Sequence, residues 1–112
     1  MKYDGSMVAS SADITGKIRA KSGQIGYDGK SNDSGWIITA NTISSTDSGS
    51  SNNTVALSSD KDSYFRIWAG AEKAGSGYNA TADNLSERIE NPANFVVTKD
   101  GFVYMKNCYV KG

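Results

Sequence analysis

Asn94-Phe95-Val96-Val97-Thr98-Lys99-Asp100-Gly101-Phe102-Val103-Tyr104-Met105-Lys106 is the stretch that decides the fold class. Two runs of β-branched and aromatic residues flank a Lys-Asp-Gly turn, in which the glycine supplies a positive φ at no steric cost. That pattern predicts a β-hairpin, with side chains alternating between two faces. Cys108-Tyr109-Val110 resumes the alternation beyond it.

The same grammar recurs upstream. Tyr64-Phe65-Arg66-Ile67-Trp68-Ala69 reads as a strand, with Phe65 and Ile67 on one face and Tyr64, Arg66 and Trp68 on the other. Thr54 to Ser58, Gly35 to Ala40, Thr42 to Ser44 and Gln24 to Gly26 read as further short strands. Ile14-Thr15-Gly16-Lys17-Ile18-Arg19-Ala20 alternates apolar and polar, with Gly16 placed for a bulge. Loops are expected at 27–35, where Asp-Gly and Ser-Gly pairs occur, at 44–53, which has no apolar residue, and at 70–79. One helical candidate stands out at about 82–90: Thr81 can cap, Asp83 lies in the first turn, Leu85 and Ile89 sit four apart, and Pro92 follows.

The expected fold is therefore mainly β: short antiparallel strands and hairpins with at most one short helix, about 82–90. Residues 1–12, small and polar, read as a linker or an appended segment, and 13–112 as one β-rich module. The abrupt start and the strand-like ending read as a piece of a longer protein.

Composition sharpens this expectation. The chain has 112 residues, 12 basic and 12 acidic, no His, one Cys and one Pro. Leu, Ile, Val and Phe make up 19 of 112, about 17%, a fraction low enough to raise disorder, but the second condition for disorder, high net charge, fails at +0. Ser, Thr, Asn and Gly together number 44, and these cannot fill a core. A sizeable private core is unexpected in such a chain. Ile and Val outnumber Leu 14 to 2, which favours pleated strands over helices.

Several functional classes weaken on the same counts. Without His the chain has no Ser-His-Asp or Cys-His site of its own, and no imidazole for a metal. Cys108 alone forms neither an internal disulfide nor a multi-Cys zinc site, and is expected as a buried small residue. Zero net charge gives no long-range attraction for nucleic acid. No apolar run is long enough for a membrane span. No cofactor and no catalytic constellation are expected.

The chain also carries a faint internal echo. Setting Gly16 on Gly101 pairs Ile18 with Val103, Ala20 with Met105, Lys21 with Lys106 and Ile25 with Val110. Modules linked through such an overlap would build a shaft rather than a compact globule.

Asp13-Ile14-Thr15-Gly16-Lys17-Ile18-Arg19-Ala20-Lys21-Ser22-Gly23-Gln24-Ile25-Gly26, then Gly35-Trp36-Ile37-Ile38-Thr39 and Thr42-Ile43-Ser44, resembles a module of bacteriophage and prophage tail proteins. So does Phe65-Arg66-Ile67-Trp68-Ala69-Gly70-Ala71, followed by Pro92 to Tyr104 and Asn107 to Gly112. The resemblance is to tail-fibre, tail-tip or minor structural proteins of long-tailed phages, chiefly of Gram-positive hosts. Here residues 27–34 intervene between the Ile-Gly and the Gly-Trp, which the family usually holds almost adjacent. The resemblance implies an intertwined homotrimer in an extended appendage of the virion tail, made in the host cytoplasm and acting outside the cell in host attachment. It also allows a different role, a receptor-binding domain for host cell-surface polysaccharide.

Residues that could touch a glycan are Tyr78, Trp68 and Tyr64, aromatics beside Gly/Ser/Asn-rich loops that could stack on a sugar. For Trp36 and Trp68 the resemblance favours core or trimer-interface positions instead. Asp60 with Asp62, or Glu87 with Glu90, could be imagined as a glycosidase pair, but turns and polar faces carry such pairs routinely. Asp28 to Gly35 offers oxygens to Ca²⁺, yet an EF-loop register puts Thr39 where Glu is required, so a solvated turn is expected.

Overall fold

The computed structural model describes residues 8–26, 34–47 and 54–112. Among these residues nine strands form: β1 (Gly23–Ile25), β2 (Ser34–Ile38), β3 (Thr42–Asp47), β4 (Val55–Ser58), β5 (Phe65–Ala69), β6 (Gly77–Tyr78), β7 (Ile89–Glu90), β8 (Phe95–Thr98) and β9 (Val103–Met105). Seven of them make one antiparallel sheet in the order β1-β2-β3-β4-β5-β8-β9, and β6 and β7 pair separately. The mainly β, antiparallel expectation holds. Most of the 27–35 turn, with its oxygen-rich Asp28 to Gly35 stretch, and residues 48–53 of the polar run lie outside the described residues.

The 94–106 hairpin forms as its sequence predicts, with Phe95 opposite Met105 and Val97 opposite Val103. Gly101 takes φ +84 at the turn, where its N–H donates to the Thr98 carbonyl at 3.0 Å. Thr98 locks the turn again, because its hydroxyl accepts the Phe102 N–H at 3.1 Å.

Four expectations are corrected. First, no helix spans 82–90; Leu85–Glu87 forms a single 3-10 turn, and Ile89–Glu90 is strand. The spacing of Leu85 and Ile89 was not an apolar stripe, since Leu85 is exposed and Ile89 is buried. Asn84 rather than Thr81 is the cap, its side chain accepting the Ser86 N–H at 3.1 Å. Second, Ile14 to Ala20 is not a strand: it is exposed throughout and pairs with none of the described strands. Cys108 to Val110 likewise forms no strand, and Cys108 is exposed rather than buried. Third, β3 runs on to Asp47, beyond the expected start of the polar loop, because β2 continues alongside it from Ser34. Within the 70–79 loop, Gly77–Tyr78 is likewise a strand.

The fourth correction changes which side chains share a face. Phe65 pairs with Thr98, yet Ile67 pairs with Val97, so Arg66 is the extra residue of a β-bulge. Phe65 and Trp68 therefore lie together on one face and Ile67 on the other. The Arg66 guanidinium donates to the Asp60 carbonyl at 2.8 Å, anchoring the bulge to the preceding turn.

The two faces have different fates. On one, residues 70–94 fold back over β5, β8 and β9 and bury Ala74, Ile89, Ala93 and Val96, with Phe65, Trp68, Tyr78, Phe102 and Tyr104 packed around them. The backbone ties this layer down: Ala93 N–H donates to the Ala74 carbonyl at 2.8 Å, and Ser76 N–H to the Glu90 carbonyl at 2.7 Å. On the other face the register aligns Ile38, Ile43, Leu57, Ile67, Val97 and Val103 in one rung across six strands. Two residues along the strands, Ile25, Trp36, Val55, Phe95 and Met105 occupy the same face.

Candidate functional site

The richest side-chain cluster lies where the β8–β9 turn meets the start of β5 and the β6–β7 pair. The bulge at Arg66 fixes where Tyr64 and Phe65 stand. The fold-back of residues 70–94 then brings Tyr78 against them: Tyr64 and Tyr78 have ring centroids 5.0 Å apart, and Phe65 meets Tyr78 edge-on at 6.2 Å. Phe102 closes the group at 6.3 Å from Tyr78. The edge-on contact is a favoured geometry for aromatic quadrupoles, and the other two pairs are tilted.

Charges ring this cluster. The Lys99 ammonium sits 4.2 Å from the Tyr64 ring centroid, and the Arg88 guanidinium 5.3 Å from that of Phe102. The Tyr78 hydroxyl donates to the Asp100 carboxylate, at 2.9 and 2.8 Å to its two oxygens, and the Thr98 hydroxyl donates to it as well. The Thr98 hydroxyl, then that of Tyr78, hold the Asp100 carboxyl below its ordinary value of 3.8.

A folded-state pKa held below the unfolded one stabilises the fold above the unfolded value, and that contribution is lost as pH falls through the folded one. Thermal unfolding followed by circular dichroism should thus show the midpoint dropping as pH is lowered through 3.8 and below. Asp100→Asn should flatten that acid limb, and an unchanged limb would remove Asp100 from the account.

The three aromatics singled out in the sequence are distributed as follows. Tyr64 and Tyr78 stack on one another, and both face the rim of charges. Trp68 lies deeper on the same sheet face, packed against the buried cluster, with its indole N–H donating to the Glu72 carbonyl at 3.3 Å. Trp36 is on the opposite face, 43% exposed. Sequence reasoning missed Thr98, Lys99, Asp100 and Arg88. The signal for the first three was the threonine two residues before the aspartate of a tight turn, a spacing at which hydroxyl and carboxylate meet.

No family model, curated protein or solved structure matches the chain. The geometry therefore carries the chemistry. Among the described residues no cluster of three or more His, Cys, Asp or Glu could hold a metal ion, and no helix is long and apolar enough to cross a membrane. Asp60 of the imagined carboxylate pair accepts the Asp62 backbone N–H at 3.0 Å, capping its own turn. Glu87 lies in the 3-10 turn and Glu90 in β7, opposite Gly77. What the Tyr64–Tyr78–Asp100 corner offers is an aromatic surface bordered by a hydrogen-bond-accepting carboxylate and a cation. A polyhydroxylated ligand could use such a surface.

Proposed function

We propose that the chain is a structural and adhesion module of a bacteriophage tail appendage, assembled as a homotrimer and contributing to the fibre or tip used in host attachment. The observation that carries this proposal is the imbalance between shape and core. The chain measures 58 × 30 × 30 Å with a radius of gyration of 17.8 Å, against about 13 Å for a compact domain of this length. Its buried apolar residues, Ala56, Ala74, Ile89, Ala93 and Val96, are mostly small and lie mainly under one half of the sheet. Such a chain gains order by packing against identical partners and contributes length and surface. The resemblance of residues 13–26, 35–39, 42–44, 65–71, 92–104 and 107–112 to tail modules supports the setting.

Light scattering on the purified chain at micromolar concentration should give three times the 11.9 kDa of one chain. A monomeric mass would overturn the assembly. A second role, recognition of a host glycan, is favoured by the paired Tyr64 and Tyr78 beside Asp100. A narrow set of hits for the assembled protein on a glycan array would separate it from a pure spacer, which gives none.

A further inference from the structure

Among the described residues the sheet covers one of its faces itself and leaves the other open. Where the 70–94 layer lies over β5, β8 and β9, the apolar side chains Trp68, Val96 and Tyr104 are met from within the chain. Beyond that layer, the same face turns more polar, with Gln24, Ser44 and Ser58 around Ile37. The opposite face does the reverse: apart from Ser45 in β3, its two rungs are apolar from β1 to β9, and no described residue in them carries a charge. Along the central rung Ile43 is 42% exposed, Leu57 50%, Ile67 36% and Val103 45%.

We infer that this uncharged face is the surface on which copies of the chain pack against one another. The inference rests on the proposed self-assembly and adds where it occurs. Ile25, Trp36, Val55 and Met105 are exposed to a similar degree. With about 200 Å² for each large side chain, the eight together present on the order of 700 Å². A standard interface takes roughly 800 Å² from each partner, while apolar patches beyond a few hundred Å² are rare on a monomer. Absence of charge selects the occupant. A strongly charged partner would find no counter-charge on these rungs, whereas around a three-fold axis each copy's face turns inward and meets the same aliphatic ridges on the other two. The shallow groove of about 370 Å³ between Ile38, Ile43 and Leu57 at the β2–β3 end extends this face and is bordered by Ala20.

The test compares masses by light scattering for the full chain, Leu57→Lys, Ile67→Lys and, on the other face, Gln24→Lys. The expected result is an assembled wild type and Gln24→Lys, with Leu57→Lys and Ile67→Lys reduced to monomers that keep the β-type circular dichroism spectrum. If both variants keep the wild-type mass, the face is wrong and self-assembly stands; if the wild type is itself monomeric, the proposed assembly fails first. Should the lysine variants not fold, Leu57→Cys in a Cys108→Ser background decides the matter. Its thiol should react with maleimide about tenfold or more slowly in the assembly than after dilution to monomer, as burial of a thiol requires. Equal rates in an assembled protein would overturn the inference.

Discussion

Val96→Asp is expected to unfold the β5–β8–β9 half of the chain. Val96 is the largest fully enclosed side chain among the described residues, at 0% exposure, and it pairs with Trp68 on one side and Tyr104 on the other. Ala74, Ile89 and Ala93 share its buried cluster. A carboxylate there would have apolar walls around it, and burying an unpaired charge is among the few mechanisms that cost more than about 4 kcal/mol. A domain of this size has a total stability of about 5–15 kcal/mol, so most of the margin disappears. Urea titration followed by tryptophan fluorescence should show a large fall in midpoint, or no folded baseline at all. Val110→Asp, at a position 81% exposed, should leave the curve in place. Equal curves for the two variants would mean that the 70–94 layer does not seal the sheet.

Gly75→Ala is expected to push that layer off the sheet by a different route. A methyl group at residue 75 would lie 2.7 Å from Ile89 Cγ2, 3.0 Å from the Glu90 carbonyl oxygen and 3.4 Å from Phe65 Cζ. Ile89 is buried, and the Glu90 carbonyl already accepts the Ser76 N–H, so neither neighbour can retreat without losing a contact. Overpacking of this kind costs about 1–3 kcal/mol. Ile89→Ala alone would cost about 2–5 kcal/mol through the cavity it leaves. In the double variant the methyl gained at 75 occupies space vacated at 89, so the two losses should fall short of their sum by about 0.5–3 kcal/mol. Strict additivity in a denaturation cycle would show that the two residues do not share the space between the layers.

How much of this was legible in the sequence depends on how local the determinant is. The 95–105 hairpin was readable because its turn residues and its alternation agree, and both lie within a dozen residues. The face assignment of β5 was not, because the bulge at Arg66 is fixed by Asp60 and by the register with Thr98 and Val97, neither of which is visible in a period-2 count. The helix at 82–90 was misjudged because an apolar pair four residues apart also suits a 3-10 turn followed by a strand, once Asn84 caps the turn and Ile89 pairs with Tyr78. Ile14 to Ala20 has a strand's alternation without a partner among the described strands. Tyr64 and Tyr78 could be named singly as exposed aromatics, but their stacking depends on a fold-back of some two dozen residues. Asp100 reads from sequence as a turn residue because only one of its hydroxyl donors, Thr98, is local, whereas the other, Tyr78, arrives through that fold-back.

The strand order has a kinetic consequence. β1 to β5 are laid down side by side in the order in which they occur, and only the 70–94 excursion separates β5 from β8. Every neighbour except that one is therefore found by closing a short loop, the least costly kind of closure and the kind that speeds folding relative to other all-β topologies. The sheet can zip from one edge to the other within a single polypeptide before any second polypeptide is encountered. If the proposed assembly holds, maturation would divide into a unimolecular stage, indifferent to how crowded the protein is with its own kind, and a later association stage that is not.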